Sequence, residues 1–359
     1  MKHADYAHIT RFATILLIAV LVVYVMVMAE SILLPLAWAL LISLLILPVI
    51  QWMEQKIARP LAIIIALILV IGFFGFIFYL LSVQVVGVLG EVPRITQKLD
   101  QWIADVQHYS EIRWGISPEM FSRQIATSVS QMINAVFLGI RNSLSTIFQT
   151  ITIVTVIPLY VYFMLYYRDL FYEGFLRIVK NYQQKATSLV RNVNSIVQRY
   201  LFGMLLVTVI MGVLFYIDLL VLDIKYAFFF AVLLAVFNLI PYIGVIVSSL
   251  VVILYALVTT SSFFYPIALL ISLWLIQFLE NNFITPFVVG TRVKVNPLVA
   301  LITIFAGSAV WGISGMVLFL PLVGVLKTIC DEIDSLKPYG LMLGTGLQDD
   351  KEKGPIISK

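Results

Sequence analysis

The chain has 359 residues, of which 62% are hydrophobic and only 12% charged, with a formal net charge of +4 at neutral pH. A soluble domain carries about 25% charged residues, so this composition excludes an ordinary aqueous globule. The basic residues sit in loops between apolar runs, which argues against a nucleic-acid-binding patch.

The single cysteine, Cys330, excludes an intrachain disulfide and argues against a Cys-based metal site. His3, His8 and His108 are scattered, and no metal spacing, phosphate-cradling loop or nucleophile–base set is visible. The expectation is a protein that is not an enzyme, with no metal and no cofactor.

Two spans come first, about 12–29 and 32–53, joined by a tight turn at Glu30 and Ser31. Neither stretch contains Asp, Glu, Lys or Arg, and about 20 such residues cross the hydrocarbon as a helix. A cleaved signal peptide is a poor reading of the N-terminus: no small-residue cleavage pattern follows Lys2 and Arg11, and Glu30 leads straight into the next span. A third span runs from about 61 to 84.

The stretch 91–142 has balanced charge and reads as water-facing. Val92, Ile95, Leu99, Trp102, Val106 and Tyr109 form one apolar helix face, and Phe121, Ile125, Val129, Met132, Val136 and Ile140 form a second. Ser117 and Pro118 are a good helix start between them. This predicts a helical hairpin outside the bilayer, used either for its own packing or for subunit contact. A fourth span covers about 145–167. The stretch 168–199 is strongly basic with an apolar stripe at Phe171, Phe175, Ile178, Val179 and Tyr182, the composition of an amphipathic helix on an anionic cytoplasmic surface. A fifth span runs from about 201 to 222. The positive-inside rule then places the N-terminus, Lys56, Arg59 and 168–199 inside and 91–142 outside.

The C-terminal half contains two apolar runs of the wrong length. From Tyr226 to about Thr260 lie 35 residues without a charge, about 52 Å as one helix against a hydrocarbon core of about 30 Å. Asn238, Pro241, Tyr242 and Gly244 sit in its middle, where Pro removes a helix hydrogen bond and Gly permits a turn. The run from Pro297 to Leu326 is interrupted at Gly312 and Gly315 in the same way. A further span, about 264–285, lies between them and ends in Gln277, Glu280, Asn281, Asn282 and Pro286. Each long run is either a kinked, overlong span or a pair of short helices entering and leaving on one side. Re-entrant hairpins put Arg292 and Lys294 inside, so charge favours them. Interrupted segments of opposite entry point to a transporter, because unwound backbone is tolerated in a bilayer only against protein or a water-filled cavity.

Gln198-Arg199-Tyr200, the run from Asn238 to Gly244, Leu279-Glu280-Asn281-Asn282 with Pro286 and Gly290, Asn296-Pro297-Leu298-Val299, the run from Trp311 to Gly315, and Pro321 occur in this order. That pattern resembles the autoinducer-2 exporter family of bacterial membrane proteins over about 145–330. The resemblance implies a bacterial inner-membrane protein of about eight membrane segments and a homo-oligomer, acting as an exporter of a quorum-sensing signal or as a sodium/proton antiporter. The stretch Val221-Leu222-Asp223-Ile224-Lys225 departs from the small, Gly-containing sequence usual before the first hairpin.

Glu280 is the only ionisable residue between Lys225 and Arg292. A carboxylate buried in low dielectric needs a proton or a cation, so Glu280, with Gln277 and Asn281 on its helix face, is a candidate coupling site. The alternative is a structural carboxylate that reaches water or caps a neighbour. Asn238, Pro241, Tyr242 and Gly244 offer free backbone groups for a small polar solute, or simply close a turn. Gly312, Ser314 and Gly315 line the opposite tip or allow close packing, as does Gly307. Pro286, Gly290, Asn296, Pro297 and Pro321 read as hinge or structural positions, and Asp218 as an interfacial carboxylate.

The predicted fold is an all-α polytopic membrane protein with about eight membrane segments, two of them re-entrant or broken helical hairpins, plus an extramembrane helical hairpin. Its regions are a three-span part (1–90), a periplasmic hairpin (91–142), the fourth span with the basic helix (143–199), a membrane core (200–335) and a polar cytoplasmic tail (336–359). The expected partners are the lipid bilayer, a small polar solute or a cation or proton, and further copies of the chain. A non-transporting scaffold and an oligomeric channel are the competing functions.

Overall fold

The computed structural model describes residues 2–114, 151–179, 183–240, 243–260, 262–288 and 295–345. In chain order the helices are α1 (Lys2–Met28), α2 (Glu30–Glu54), α3 (Arg59–Trp114), α4 (Ile151–Tyr166), α5 (Arg168–Ile178), α6 (Gln183–Val221), α7 (Ala227–Phe237) and α8 (Ile243–Thr259). Then α9 (Phe264–Leu279) runs through a π-helical turn (Glu280–Ile284) into α10 (Thr285–Val288), followed by α11 (Pro297–Glu332) and α12 (Lys337–Leu343).

Helices are what this composition permits. Hydrocarbon offers no water to the backbone, so each N–H and C=O must be satisfied within its own segment. Among the described residues five helices are long and apolar enough to cross a membrane, and shorter apolar stretches occupy α1, α4, α7 and α8. Leu16, Val20, Phe73, Phe74 and Trp274 all point outward, and Phe287 is 90% exposed. Lipid is the solvent for such a surface, and the protein is an all-α, multi-pass membrane protein.

The helix of the third span runs on as α3 to Trp114, through the residues of the first arm of the predicted extramembrane hairpin. A change from apolar to charged side chains alters the solvent of a helix without touching its backbone hydrogen bonds. The basic stretch 168–199 is not one helix. Its first part is α5, and its second part is the start of α6, which runs on without interruption through the fifth span to Val221. The second arm of the predicted extramembrane hairpin, with Ser117 and Pro118, lies outside the described residues, as do Pro241, Tyr242, Gly290, Arg292 and Lys294.

The chain divides into two compact units. The first comprises Met1–Leu67, Thr152–Phe202 and Thr291–Lys359. Its core is built on Leu41, Val197, Trp311 and Leu318, with Met26, Trp38 and Phe319 packed around them. The Trp311 indole N–H donates to the Met26 carbonyl at 3.0 Å, which ties α11 to α1. An ionic cluster joins Glu54 at the end of α2, Arg59 at the start of α3, and Arg168 and Asp169 at the start of α5. The hydrogen bond from Arg59 holds the Asp169 carboxyl below its ordinary value, so the Arg59–Asp169 pair stays charged through mildly acidic pH.

Within this unit α11 is a hairpin. A straight helix of its 36 residues would part its ends by about 54 Å. Instead, Trp311 and Gly312 leave the helical region, with Gly312 at φ 56° and ψ −138°. Gly307 and Gly315 come into backbone contact, and the Trp311 and Phe319 rings pack edge to face at 5.5 Å. The ends are tied together as well: Val295 bridges Gly344, the Asn296 N–H donates to the Leu343 carbonyl at 2.8 Å, and Gly340 of α12 lies against Asp331. Asn296 caps the first arm by accepting the Leu298 N–H at 2.9 Å, with Pro297 in the first turn. Asn296→Ala is expected to lower stability by about 1 kcal/mol, read as a lower thermal midpoint in detergent.

The second unit comprises Ile68–Ile151 and Gly203–Gly290. Its core gathers Val85 and Val88 of α3, Met211, Phe215 and Leu219 of α6, Phe230 of α7, Tyr255 of α8 and Leu269 of α9. Here α7 and α8 form the other hairpin: the Phe230 and Tyr255 rings lie 4.7 Å apart although 25 positions separate them in sequence. At the bend, Gly244 packs against the Phe237 carbonyl so closely that an added Cβ would sit 1.7 Å from its oxygen. No side chain fits there.

Candidate functional site

The most unusual local feature of the second unit is the π turn at Glu280–Ile284. Pro286 has no N–H for the carbonyl four residues back, and its ring crowds that carbonyl, so the preceding turn widens. The Thr285 N–H accordingly donates to the Glu280 carbonyl, five residues back. Single π turns of this kind are frequently found at functional sites.

The turn places Glu280 inside the protein, at 8% exposure. The Gln277 side-chain amide donates to Glu280 Oε2, and the Thr285 hydroxyl donates to Oε1 at 2.6 Å. The same Gln277 amide also reaches Asn281 Oδ1, at 3.4 Å. Gln277 Oε1 is buried without a hydrogen-bond partner. Among the described residues no cationic side chain pairs with Glu280. The result is a carboxylate surrounded by hard oxygen and amide groups, a set suited to a proton or a small cation of the alkali type rather than to a transition metal. Among the described residues there is no group of His, Cys, Asp and Glu able to hold a metal ion.

The structure brings Gln277, Glu280 and Asn281 together, and Thr285 joins them. Sequence reasoning missed Thr285 because a five-residue spacing leaves one face of an α-helix, and only a π turn restores it. The available signal was Pro286 directly after a polar run inside a span. Asn282 is apart from the group: it is exposed, and its side-chain amide donates to the Phe278 carbonyl at 2.8 Å.

Asn238 is half-buried at the end of α7, where its backbone N–H donates to Leu234. Gly244 is buried in the bend, and its carbonyl accepts the Ser248 hydroxyl at 2.7 Å. In the first unit, Gly312 is the turn of the other hairpin, Gly315 makes its close contact, and Ser314 lies half-buried between them. Pro321 is buried in the second arm of that hairpin. Asp218 is half-buried, and its carboxylate accepts the Ser272 hydroxyl at 2.9 Å.

The profile of the AI-2E family transporters matches residues 15–335. The chain belongs to this family. Among AI-2E family relatives, YrrI of Bacillus subtilis is 27% identical over 342 residues, covering 89% of this chain and 94% of that protein, and is named for transport without a substrate. YueF of the same organism is 24% identical over 290 residues, covering 78% of each chain. The AI-2 transport protein TqsA of Escherichia coli is 22% identical over 313 residues, covering 85% of this chain and 87% of that protein. The chain is thus a membrane transport protein.

Proposed function

We propose that this AI-2E family member is a secondary transporter that exports a small polar solute, coupled to a proton or monovalent cation at Glu280. The observation that carries this reading is the buried Glu280 carboxylate, which has two hydrogen-bond donors and, among the described residues, no cationic partner. An isolated charge inside a membrane span is costly, so a proton or cation must accompany it whenever the site is closed to water. A quorum-sensing signal of the AI-2 type is the solute that the name of TqsA suggests.

A second reading, sodium/proton antiport, draws on the same oxygen-rich set around Glu280, in which the two ions compete for one carboxylate. Either reading is set in a bacterial inner membrane with both termini cytoplasmic, supported by the basic character of 168–199 and of Lys56 and Arg59. Assembly as a homo-oligomer follows from the family resemblance.

Purified protein in liposomes carrying a trapped pH dye tests the proposal. An imposed sodium or solute gradient is expected to drive saturable proton movement. Ohmic current without saturation would make the protein a channel. Silence towards AI-2 and towards sodium, lithium and potassium gradients would leave a scaffold.

A further inference from the structure

The root of the first hairpin, where α6 hands over to α7, is strained. Asp223 has φ 51° and Tyr226 has φ 62° with ψ 33°. They are the two non-glycine residues in the left-handed region among the described residues. A bulky aromatic adopts that backbone only where its surroundings hold it, and such strain gathers at clamps and switches.

The holding contacts come from one face of α3. Gln84 Oε1 accepts the Phe229 N–H at 3.0 Å, satisfying a donor in the first turn of α7. Gly87 lies under the end of the Tyr226 side chain, where an added Cβ would be 2.6 Å from the hydroxyl oxygen. Glu91 accepts a hydrogen bond from the Lys225 ammonium, which also sits 5.0 Å from the centre of the Tyr226 ring. These three α3 residues therefore grip three consecutive features of the root.

Next to Tyr226 lies Tyr255 of α8, 2% exposed, its ring 6.4 Å from that of Tyr226. The Tyr255 hydroxyl is buried and has no hydrogen-bond partner among the described residues. Burying a hydroxyl without a partner is unfavourable, and native proteins rarely leave one so.

We propose that Tyr226 is a gate shut over the buried Tyr255 hydroxyl, latched by the Lys225–Glu91 pair and opened when Tyr226 leaves its left-handed backbone. In the open state Tyr226 takes up right-handed geometry and joins the start of α7. Its ring then leaves Gly87, and water or a hydroxyl-bearing solute hydrogen-bonds to Tyr255. The gate stands independently of the role given to Glu280.

Hydroxyl-radical footprinting of the whole chain in lipid nanodiscs tests it, with oxidation of individual residues read by mass spectrometry. Gly87→Ala pushes the Tyr226 ring aside while favouring the α3 helix, and Glu91→Gln removes the latch charge. Each is expected to raise Tyr255 oxidation; for Glu91→Gln the rise is up to about five-fold, the most that a largely exposed ion pair contributes. Met211 and Phe215, buried in the same unit as Tyr255, should stay at their background and so report that the fold is intact. Continued protection of Tyr255 in either variant overturns the gate, and so does a joint rise at Tyr255, Met211 and Phe215. Because no flux is measured, the outcome is separate from that of the transport experiment.

Discussion

Gly315→Ala is expected to unfold the second hairpin and to lower stability by about 3 kcal/mol or more. A Cβ at this position would lie 1.9 Å from the Gly307 carbonyl oxygen and 2.6 Å from its carbon. Both are backbone atoms held by helical hydrogen bonds, so the usual relief by a rotating side chain is absent. Overpacked cores typically lose about 1–3 kcal/mol, and more where the backbone must move. Gly307→Ala should behave alike, since its Cβ would be 2.4 Å from the Gly315 carbonyl oxygen. Gly75→Ala is the control, because nothing lies within 4 Å of a Cβ there. In that helix alanine should be neutral or stabilising by up to about 1 kcal/mol. Thermal unfolding in detergent separates the two signs, and equal midpoints for Gly315→Ala and Gly75→Ala would refute the close backbone contact.

Glu280→Gln should leave the fold intact and disable the coupling. The substitution keeps the shape of the side chain and an oxygen for the Thr285 hydroxyl, but it removes the charge. A hydrogen bond or contact to a charged group is worth about 1.5–3 kcal/mol, so affinity for the coupled ion should fall by roughly 10- to 100-fold. In liposomes this appears as loss of the sodium or pH dependence of flux at an unchanged melting temperature. Glu280→Ala should do both kinds of damage, because it strands the Gln277 amide and the Thr285 hydroxyl at about 1–3 kcal/mol for each buried group. Wild-type pH dependence in Glu280→Gln would end the coupling role and leave Glu280 as a structural carboxylate.

The membrane class, the helical class and the approximate spans were legible in the residues themselves. Runs free of Asp, Glu, Lys and Arg admit one solvent, and that solvent admits helices with internally satisfied backbones. The two breaks were legible for a related reason: an apolar run of 35 residues is too long to cross once, and Pro241, Gly244, Gly312 and Gly315 are where a backbone can turn. Glu280 with Gln277 and Asn281 was visible as a polar face on an apolar span.

What the residues in order could not decide depends on atoms far apart in sequence or on a local departure from 3.6 residues per turn. Whether Gly312 only kinks a helix or folds it back is settled by Gly307 meeting Gly315 and by Val295 meeting Gly344. Thr285 reaches Glu280 only because a π turn intervenes. The length of α3 and α6 was hidden because side-chain charge changes at the membrane surface while helical hydrogen bonding does not. The strained root at Tyr226 was equally hidden: Gly87, Glu91 and Tyr255 lie on other helices, and only their packing holds an aromatic residue in a backbone it would otherwise leave.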